Sequence, residues 1–529
     1  MDLLQHELIS KVSTITPLYL VGGVVRDKLL DHPIKDIDGI VTLPLAELEK
    51  QLVSWGYHPH RIGAKHQTLS IFKDGERIDF NPFEGDLTKD ALRRDFTINA
   101  IFQDVRTGEI IDPLQGKKDL EAKILRACGD PEARFSEDPI RILRMVRFSV
   151  KYGLNIEEET FKAAQNLLTH LQEVALERIS EELGLILTLD NPVKGIRLLE
   201  AMGYLDLYMP EVSRLKGLVQ NRYHTKDAWE HTLQVVSNTP PHLILRLAGL
   251  FHDLGKWEVA GRECVLRGKC LATTKGYYVG NYQILGRQLQ RFQDKYVEIS
   301  GSYLEHYPEI VQVKRIRQVP FCRKDFVLVE GGKRHFLGHE KESARLTRQI
   351  LSRYRFSIPL GKEGLGGEKE LIWLVENHMS GNLSFVLELR GEIKHKNLEQ
   401  KLRRFVWDKG WDGRSYRWER VQLFLELWQA DFYGGKLREP QEEKYFDLLI
   451  ERLRRTNLEV MKRHQELQWD ELERFAREHK IRGREFGEFK ETLRAKLVYS
   501  VFPISLDKEY LEKEYKHFKG QGKMNRIKK

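Results

Sequence analysis

The chain has 529 residues, more than one hydrophobic core normally serves, so several domains are expected. Hydrophobic residues at 41% and charged residues at 31% describe ordinary globular material, and no apolar run reaches bilayer length, which excludes a helical membrane span. Four cysteines exclude a disulfide scaffold and favour a reducing cytoplasm, while a net charge of +9 suits a polyanionic partner.

The opening MDLLQHELIS carries early acidic residues and no charged-then-apolar signal pattern. In YLVGGVVRDKLLDHPIKDIDGIVT (Tyr19–Thr42), an apolar run meets Gly22-Gly23, a short helix begins near Arg26-Asp27, and Asp36 and Asp38 lie in a second apolar run. Strand alternation puts Asp36 and Asp38 on one face, where two carboxylates favour an intervening cation, and oxygen-only ligands suit Mg²⁺. The glycines let backbone N–H groups approach a phosphate at a helix start. Gly39 stands where a large apolar residue is expected, which predicts reduced local rigidity beside Asp38.

Leu43–Trp55 has helical spacing, and Thr68–Phe72 with Arg77–Phe80 form a hairpin around Asp74-Gly75, placing Asp79 as a third carboxylate. Arg94, Asp95 and Asn99 in RRDFTINAI supply a phosphate fork, an acceptor for a ribose hydroxyl and an orienting amide. Asp112-Pro113 with Gly116 and Asp119 turns into a helix. Ser136 or Asp138 is expected to cap a helix with Pro139 in its first turn, and Arg141, Arg144 and Arg147 share one face of it.

The motifs LVGGVVRDKLL…KDIDGIV, RRDFTINAIF, DPLQGKKDL and RFSEDPIRILRMVRF make residues 19–153 resemble the head and neck of the bacterial-type (class II) tRNA nucleotidyltransferase and poly(A) polymerase family. The resemblance implies an α+β chain. A small mixed-sheet, DNA polymerase beta-like head precedes an all-α neck and body, an α-helical HD domain and a helical tail. It implies that Gly22, Gly23 and Arg26 contact the nucleotide, that Asp36 and Asp38 are catalytic and bind Mg²⁺, and that Arg94 and Arg144 touch the incoming nucleotide. Asp95, with Asn99 beside it, would read the ribose hydroxyl. Asp138 and Arg141 would read the base edge. The chemistry agrees: an aspartate accepts from the exocyclic amine of cytosine or adenine, and an arginine donates to the adjacent ring nitrogen. LERISEEL (Leu176–Leu183) resembles a further motif of the family.

Further on, His252-Asp253 follows the apolar helix Leu243–Phe251, with His231 earlier and Asp431 later, a set of imidazoles and carboxylates suited to a divalent metal. His339 and His378 sit in apt contexts. The set resembles the HD phosphohydrolase superfamily, and the resemblance implies a second, metal-dependent activity on phosphomonoesters or cyclic phosphates at RNA ends. Cys264, Cys270 and Cys322 in the intervening insertion lack paired CxxC spacing, so an elaborated loop or small subdomain is expected there rather than a zinc site.

The expected boundaries are head 1–122, neck 123–190, body 191–222, HD domain 223–440 with an insertion near 258–335, and a helical, basic tail 441–529 whose last ten residues are disordered. The resulting expectation is a cytoplasmic, template-independent enzyme that uses CTP and ATP to add CCA to tRNA, with no membrane association. A poly(A) polymerase, a partial CC- or A-adding enzyme, and a phosphohydrolase with a vestigial head are the alternatives, and oligomeric state is left open.

Overall fold

In the computed structural model, helix α1 (Glu7–Ile15) leads into β1 (Leu18–Val21), α2 (Gly23–Leu29), β2 (Asp36–Val41) and α3 (Leu45–Ser54). β3 (His60–Ile62), β4 (Thr68–Lys73), β5 (Glu76–Pro82), α4 (Leu87–Leu92), β6 (Phe102–Asp104) and β7 (Ile110–Ile111) follow. The structure describes residues 6–527 apart from 35, 63–67, 74, 219–226, 357, 359–366, 382–383, 392–397, 413–415, 436–439, 467–469, 500–507 and, between 261 and 337, all but the strand backbone and residue 336. Asp74, Cys264, Cys270 and Cys322 lie outside the described residues. The chain divides into two compact units, residues 1–210 with 353–357 and residues 211–352 with 358–529.

The first unit is built on a seven-stranded sheet in the order β3-β4-β5-β2-β1-β6-β7. β2 and β5 run parallel with Asp38 opposite Asp79, whereas β1 pairs antiparallel to β2 with Leu20 opposite Gly39. Val21, Ile40, Phe102, Ala100 and Cys128 are buried together on one face, because the apolar positions of these strands fall on the same side. Gly39 is a packing requirement: a Cβ there would stand 2.9 Å from Leu18 Cδ1 and 3.4 Å from Phe80 Cδ1. The space beside Gly39 is therefore filled by Leu18 and Phe80.

Helices α5 (Gly116–Glu121), α6 (Pro131–Glu137), α7 (Arg141–Tyr152), α8 (Glu158–Asn166), α9 (Leu176–Leu187) and α10 (Pro192–Met202) complete this unit. One local expectation is corrected. Asp130 accepts from Glu132 N and opens α6 with Pro131 at its first position, so Ser136 lies inside α6 and caps nothing. Asp138 ends α6 in an extended conformation, and α7 begins at Arg141 after Ile140 with no side-chain cap. α7 buries Ile142, Leu143, Met145, Val146 and Phe148 and leaves its arginines on the other side.

The second unit is largely helical. Helix Leu243–Phe251 is buried from Ile244 onward and packs among Ala228–Asn238, Glu368–Asn377 and Trp418–Gly434. Within the insertion, the described strands between Val265 and Val329 form a five-stranded and a three-stranded antiparallel sheet, strands that its composition did not announce. Helices Asp470–Glu478, Gly483–Tyr499 and Lys508–Ile527 close around Phe475, Phe489, Leu493 and Leu511. Residues 520–527, expected to be disordered, continue the last of these helices, since a packed upstream turn removes the cost of nucleation. No helix among the described residues is long and apolar enough to cross a membrane.

Candidate functional site

Gly22 closes β1 at φ +78, a backbone conformation that favours glycine, and α2 starts at the next residue. A Cβ at Gly22 would lie 3.7 Å from Arg94 Nη1 and 4.0 Å from Asp38 Oδ2, so this turn, the dyad and Arg94 adjoin. Asp36 is exposed at the start of β2, and Asp38 is half-buried. Burial first, then the charges of Asp79 and Asp36, push the Asp38 carboxyl up to about 6. Oxygen donors that resist ionising beside one another fit a divalent cation. Asp79 is not free to serve as an equal third ligand, because Arg77 on the same strand pairs with it at 2.7 Å and 3.0 Å.

Next to the dyad, a cleft of about 420 Å³ is lined by Thr68, Asn81 and Pro82 from the sheet and by Arg93, Arg94, Asp95, Asp138, Arg141, Arg144 and Arg178 from the helical side. Its arginines outnumber its aspartates, which suits a polyanionic ligand. Arg94 is held by Asp90, Nε to Oδ2 at 2.8 Å. Arg144 donates to Asp95 Oδ2 at 3.0 Å and 2.6 Å, while Asp95 Oδ1 accepts from Phe96 N and Asn99 Nδ2 at 2.8 Å and 2.9 Å. Burial opposes the charge on Asp95, but Arg144, Asn99 and the Phe96 amide together hold its carboxyl below the usual range.

The acceptor positions of Asp95 are thereby taken. Its Oδ2 fixes the Arg144 guanidinium at the cleft. Arg26, expected to contact the nucleotide, is enclosed by its neighbours. It is 4% exposed, its donors go to Asp27, Asn99 and Tyr152, and its guanidinium lies 4.3 Å from the Tyr152 ring centre. Arg147 turns away from the cleft to Glu182 at 2.6 Å and 3.2 Å. Arg141 donates to Glu137 Oε2 at 2.6 Å and to the Arg134 and Arg93 carbonyls at 3.0 Å and 2.9 Å.

Asp138 pairs with Arg178, at 3.2 Å and 2.9 Å, rather than with Arg141. Arg178, Arg93, Thr68 and Asn81 are cleft residues that the sequence reading did not single out. Arg178 lies in LERISEEL and Arg93 in RRDFTINAI, where both were visible, whereas Thr68 and Asn81 carry no local signal.

In the second unit, six side chains from separate helices and helix ends converge. His231, His252 and Asp431 form one triad of candidate ligands, and Asp253, His339 and His378 form another. Each His Nδ1 faces a backbone carbonyl: Gly434, Gly249, Phe336 and Val375 for His231, His252, His339 and His378, at 2.9, 2.8, 2.6 and 2.7 Å. Those bonds place the proton on Nδ1 and turn the Nε2 lone pairs inward. Nε2 atoms then meet at 3.2 Å between His231 and His252 and at 3.1 Å between His339 and His378. Facing lone pairs repel unless a cation lies between them.

Asp253 presents Oδ2 to His252 Nε2 at 3.1 Å and Oδ1 to His339 Nε2 at 3.1 Å, and Oδ1 has no hydrogen-bond donor. Lys256 Nζ, buried, is 2.6 Å from Asp253 Oδ2. Burial, then the neighbouring His339 and His252, pushes the His378 imidazole down to about 3, so it stays neutral and able to ligate. The donor set and its outward-facing Nδ1–H groups fit a divalent metal. Asp431 is the more open member, with 22% of its side chain exposed.

The sheet and the glycine turn fall within a segment that matches a known head domain. Residues 18–88 and 81–126 match the poly A polymerase head domain, and residues 153–215 match the probable RNA and SrmB-binding site of polymerase A. More particularly, the chain is similar in sequence to multifunctional CCA proteins. It is 37% identical over 263 residues to that of Neisseria gonorrhoeae (strain NCCP11945), covering 45% of this chain and 62% of the relative. It is 35% identical over 269 residues to that of Actinobacillus pleuropneumoniae serotype 5b, covering 45% and 64%. The chain thus spans less than two thirds of the length of these relatives. Among solved structures, a CCA-adding enzyme complexed with ATP is similar with a TM-score of 0.52 at 20% identity, over 96% of this chain and 93% of that one. The Thermotoga maritima CCA-adding enzyme complexed with tRNA_CCA gives 0.50 at 19%, over 96% and 93%. At these identities the likeness is one of fold. Nucleotidyltransferases of this class use a divalent metal.

Proposed function

We propose that the chain is a template-independent RNA nucleotidyltransferase that adds C and A residues to tRNA 3′ ends from CTP and ATP. The observation that carries this reading is the junction of the Asp36–Asp38 carboxylates with the arginine-walled cleft through Gly22 and Arg94. Similarity to multifunctional CCA proteins supports the substrate assignment.

In this reading Asp36 and Asp38 hold Mg²⁺, which when bound supplies Lewis acidity for in-line displacement of pyrophosphate. Arg94 and Arg144 bind the triphosphate, each fixed by a buried carboxylate, Asp90 and Asp95. Arg26 and Asn99 brace Asp95 from behind. Asp138 accepts from the exocyclic amine of cytosine or adenine, and Arg141 donates to the ring nitrogen beside it. The head (1–122), neck (123–190) and body (191–222) then serve transfer, base selection and the tRNA end.

The test is incorporation of labelled CTP and ATP by the purified chain on tRNA that ends before CCA. Ordered addition of C, C and A is expected; unlimited addition of A with ATP alone would point to poly(A) polymerase instead. Asp36→Ala and Asp38→Ala should each reduce incorporation to background.

A second activity is favoured by the His/Asp cluster, which we read as an HD phosphohydrolase site within residues 223–440. A divalent metal on His231, His252, Asp253 and Asp431, with His339 and His378 completing the cluster, would lower the pKa of a bound water. Lys256 is placed to steady Asp253 and a substrate phosphate. Loss of metal content and of hydrolysis of 2′,3′-cyclic phosphates in His252→Ala is the expected result. A wild-type protein that binds no divalent metal would refute it.

A further inference from the structure

We propose that Arg178 is a specificity-determining residue of the nucleotide cleft, holding the Asp138 carboxylate in the orientation that accepts an amino group and rejects a carbonyl. The inference rests on the nucleotidyltransferase reading of the cleft. It starts from a partner exchange: Asp138 is bound by a residue of another helix, α9, and not by Arg141, three residues on at the start of α7.

Both Arg178 Nη atoms reach Asp138, one to each carboxylate oxygen, at 3.2 Å and 2.9 Å, and both residues line the cleft. A fork of this kind fixes the carboxylate plane as well as its position. It uses one lone-pair site on each oxygen. A carboxylate has about four such sites, so Asp138 keeps acceptor capacity for an exocyclic amine while Arg178 stays in place. Without the fork, a side chain that is 32% exposed at the non-helical end of α6 is free to rotate. A rotated carboxylate no longer meets the exocyclic amine squarely, so the advantage of cytosine over uracil shrinks.

Arg141 cannot take over the role. Its guanidinium is committed to Glu137 and to two backbone carbonyls, with 15% of the side chain exposed, against 52% for Arg178. Arg141 is the fixed donor of the base-reading edge, and Arg178 is the holder of its acceptor. The edge is thus assembled from two segments, the α6–α7 junction and α9, whose relative placement Arg147–Glu182 also ties.

Titration calorimetry of the full-length protein with CTP, ATP, UTP and GTP, alongside single-nucleotide incorporation on tRNA, tests this directly. The wild type should prefer CTP and ATP. Arg178→Ala should lose about tenfold or more of the CTP-over-UTP preference, through a raised KM for CTP with kcat changed less. Arg178→Lys, which keeps the charge but not the fork, should restore only part of it. Thermal unfolding of each variant shows that the fold persists. If Arg178→Ala keeps the wild-type preference in binding and in KM, the proposal fails while the transferase reading stands. If the wild type itself binds all four nucleotides alike, the base-reading role of the cleft fails. A variant too unstable to bind any nucleotide is replaced by Arg178→Gln, for which the same loss of preference is required.

Discussion

Asp38 illustrates how a candidate metal-binding carboxylate opposes its own fold. Its carboxyl is raised from the ordinary 3.8 to about 6 by burial and by Asp79 and Asp36, so the folded, metal-free head binds an extra proton between those values. Stability therefore falls as pH rises through that window, and above it the ionised side chain is a standing cost. Asp38→Asn should raise the unfolding free energy of the chelated protein by ~1–3 kcal/mol at pH 7–8 and leave it unchanged below 3.8, as read by urea unfolding. Divalent metal should cancel the difference by restoring the wild type. Asp95 has the opposite sign: Arg144 and Asn99 hold its carboxyl low against burial, so it favours the folded state above the ordinary 3.8 and loses that contribution as pH falls.

Among the elements, the closest approach at the His/Asp cluster is made by glycine. A Cβ at Gly255 would overlap the His339 carbonyl and lie 2.6 Å from Ser343 N, while the Gly255 amide donates to Ser343 Oγ at 2.8 Å. Helix Gly255–Ala260 and the start of helix His339–Arg353 can meet only without a side chain there. Gly255→Ala should destabilise the second unit by about 1–3 kcal/mol and lower its metal content, measured by plasma mass spectrometry, because His339 is displaced from Asp253. The α6–α7 junction teaches the complementary lesson. Ser136 and Asp138 have the chemistry of helix caps, but Asp130-Pro131 begins a helix earlier, and the non-helical gap it leaves is what frees Asp138 for Arg178.

At the scale of the molecule, the two candidate sites occupy different compact units and draw on no common residue. Asp38→Ala should abolish incorporation and leave metal bound in the second unit. His252→Ala should remove that metal and any phosphohydrolase activity while nucleotide incorporation stays within about twofold of wild type. Parallel assays of both variants decide the matter, and joint loss would show the sites to be coupled.

Much of this was legible in the chain itself. Strand alternation placed Asp36 and Asp38 on one face, the glycine turn followed from Gly22-Gly23, and the hairpin from Thr68 to Phe80 was written in its periodicity. These are local features, set by backbone geometry over a few residues. The same holds for the buried helix ahead of His252-Asp253. What only tertiary structure decided was partnership. Arg26 and Asp95 have the residue types of ligand contacts, yet the packed fold gives Arg26 to Asn99 and Tyr152 and ties Asp95 to Arg144, partners that chain order does not reveal. Asp138 finds Arg178 forty residues on, and four histidines separated by long stretches turn their Nε2 atoms inward because four backbone carbonyls hold their outer nitrogens. Side-chain chemistry is a property of the sequence; which group is left unsatisfied, and so able to act, is a property of the packed fold.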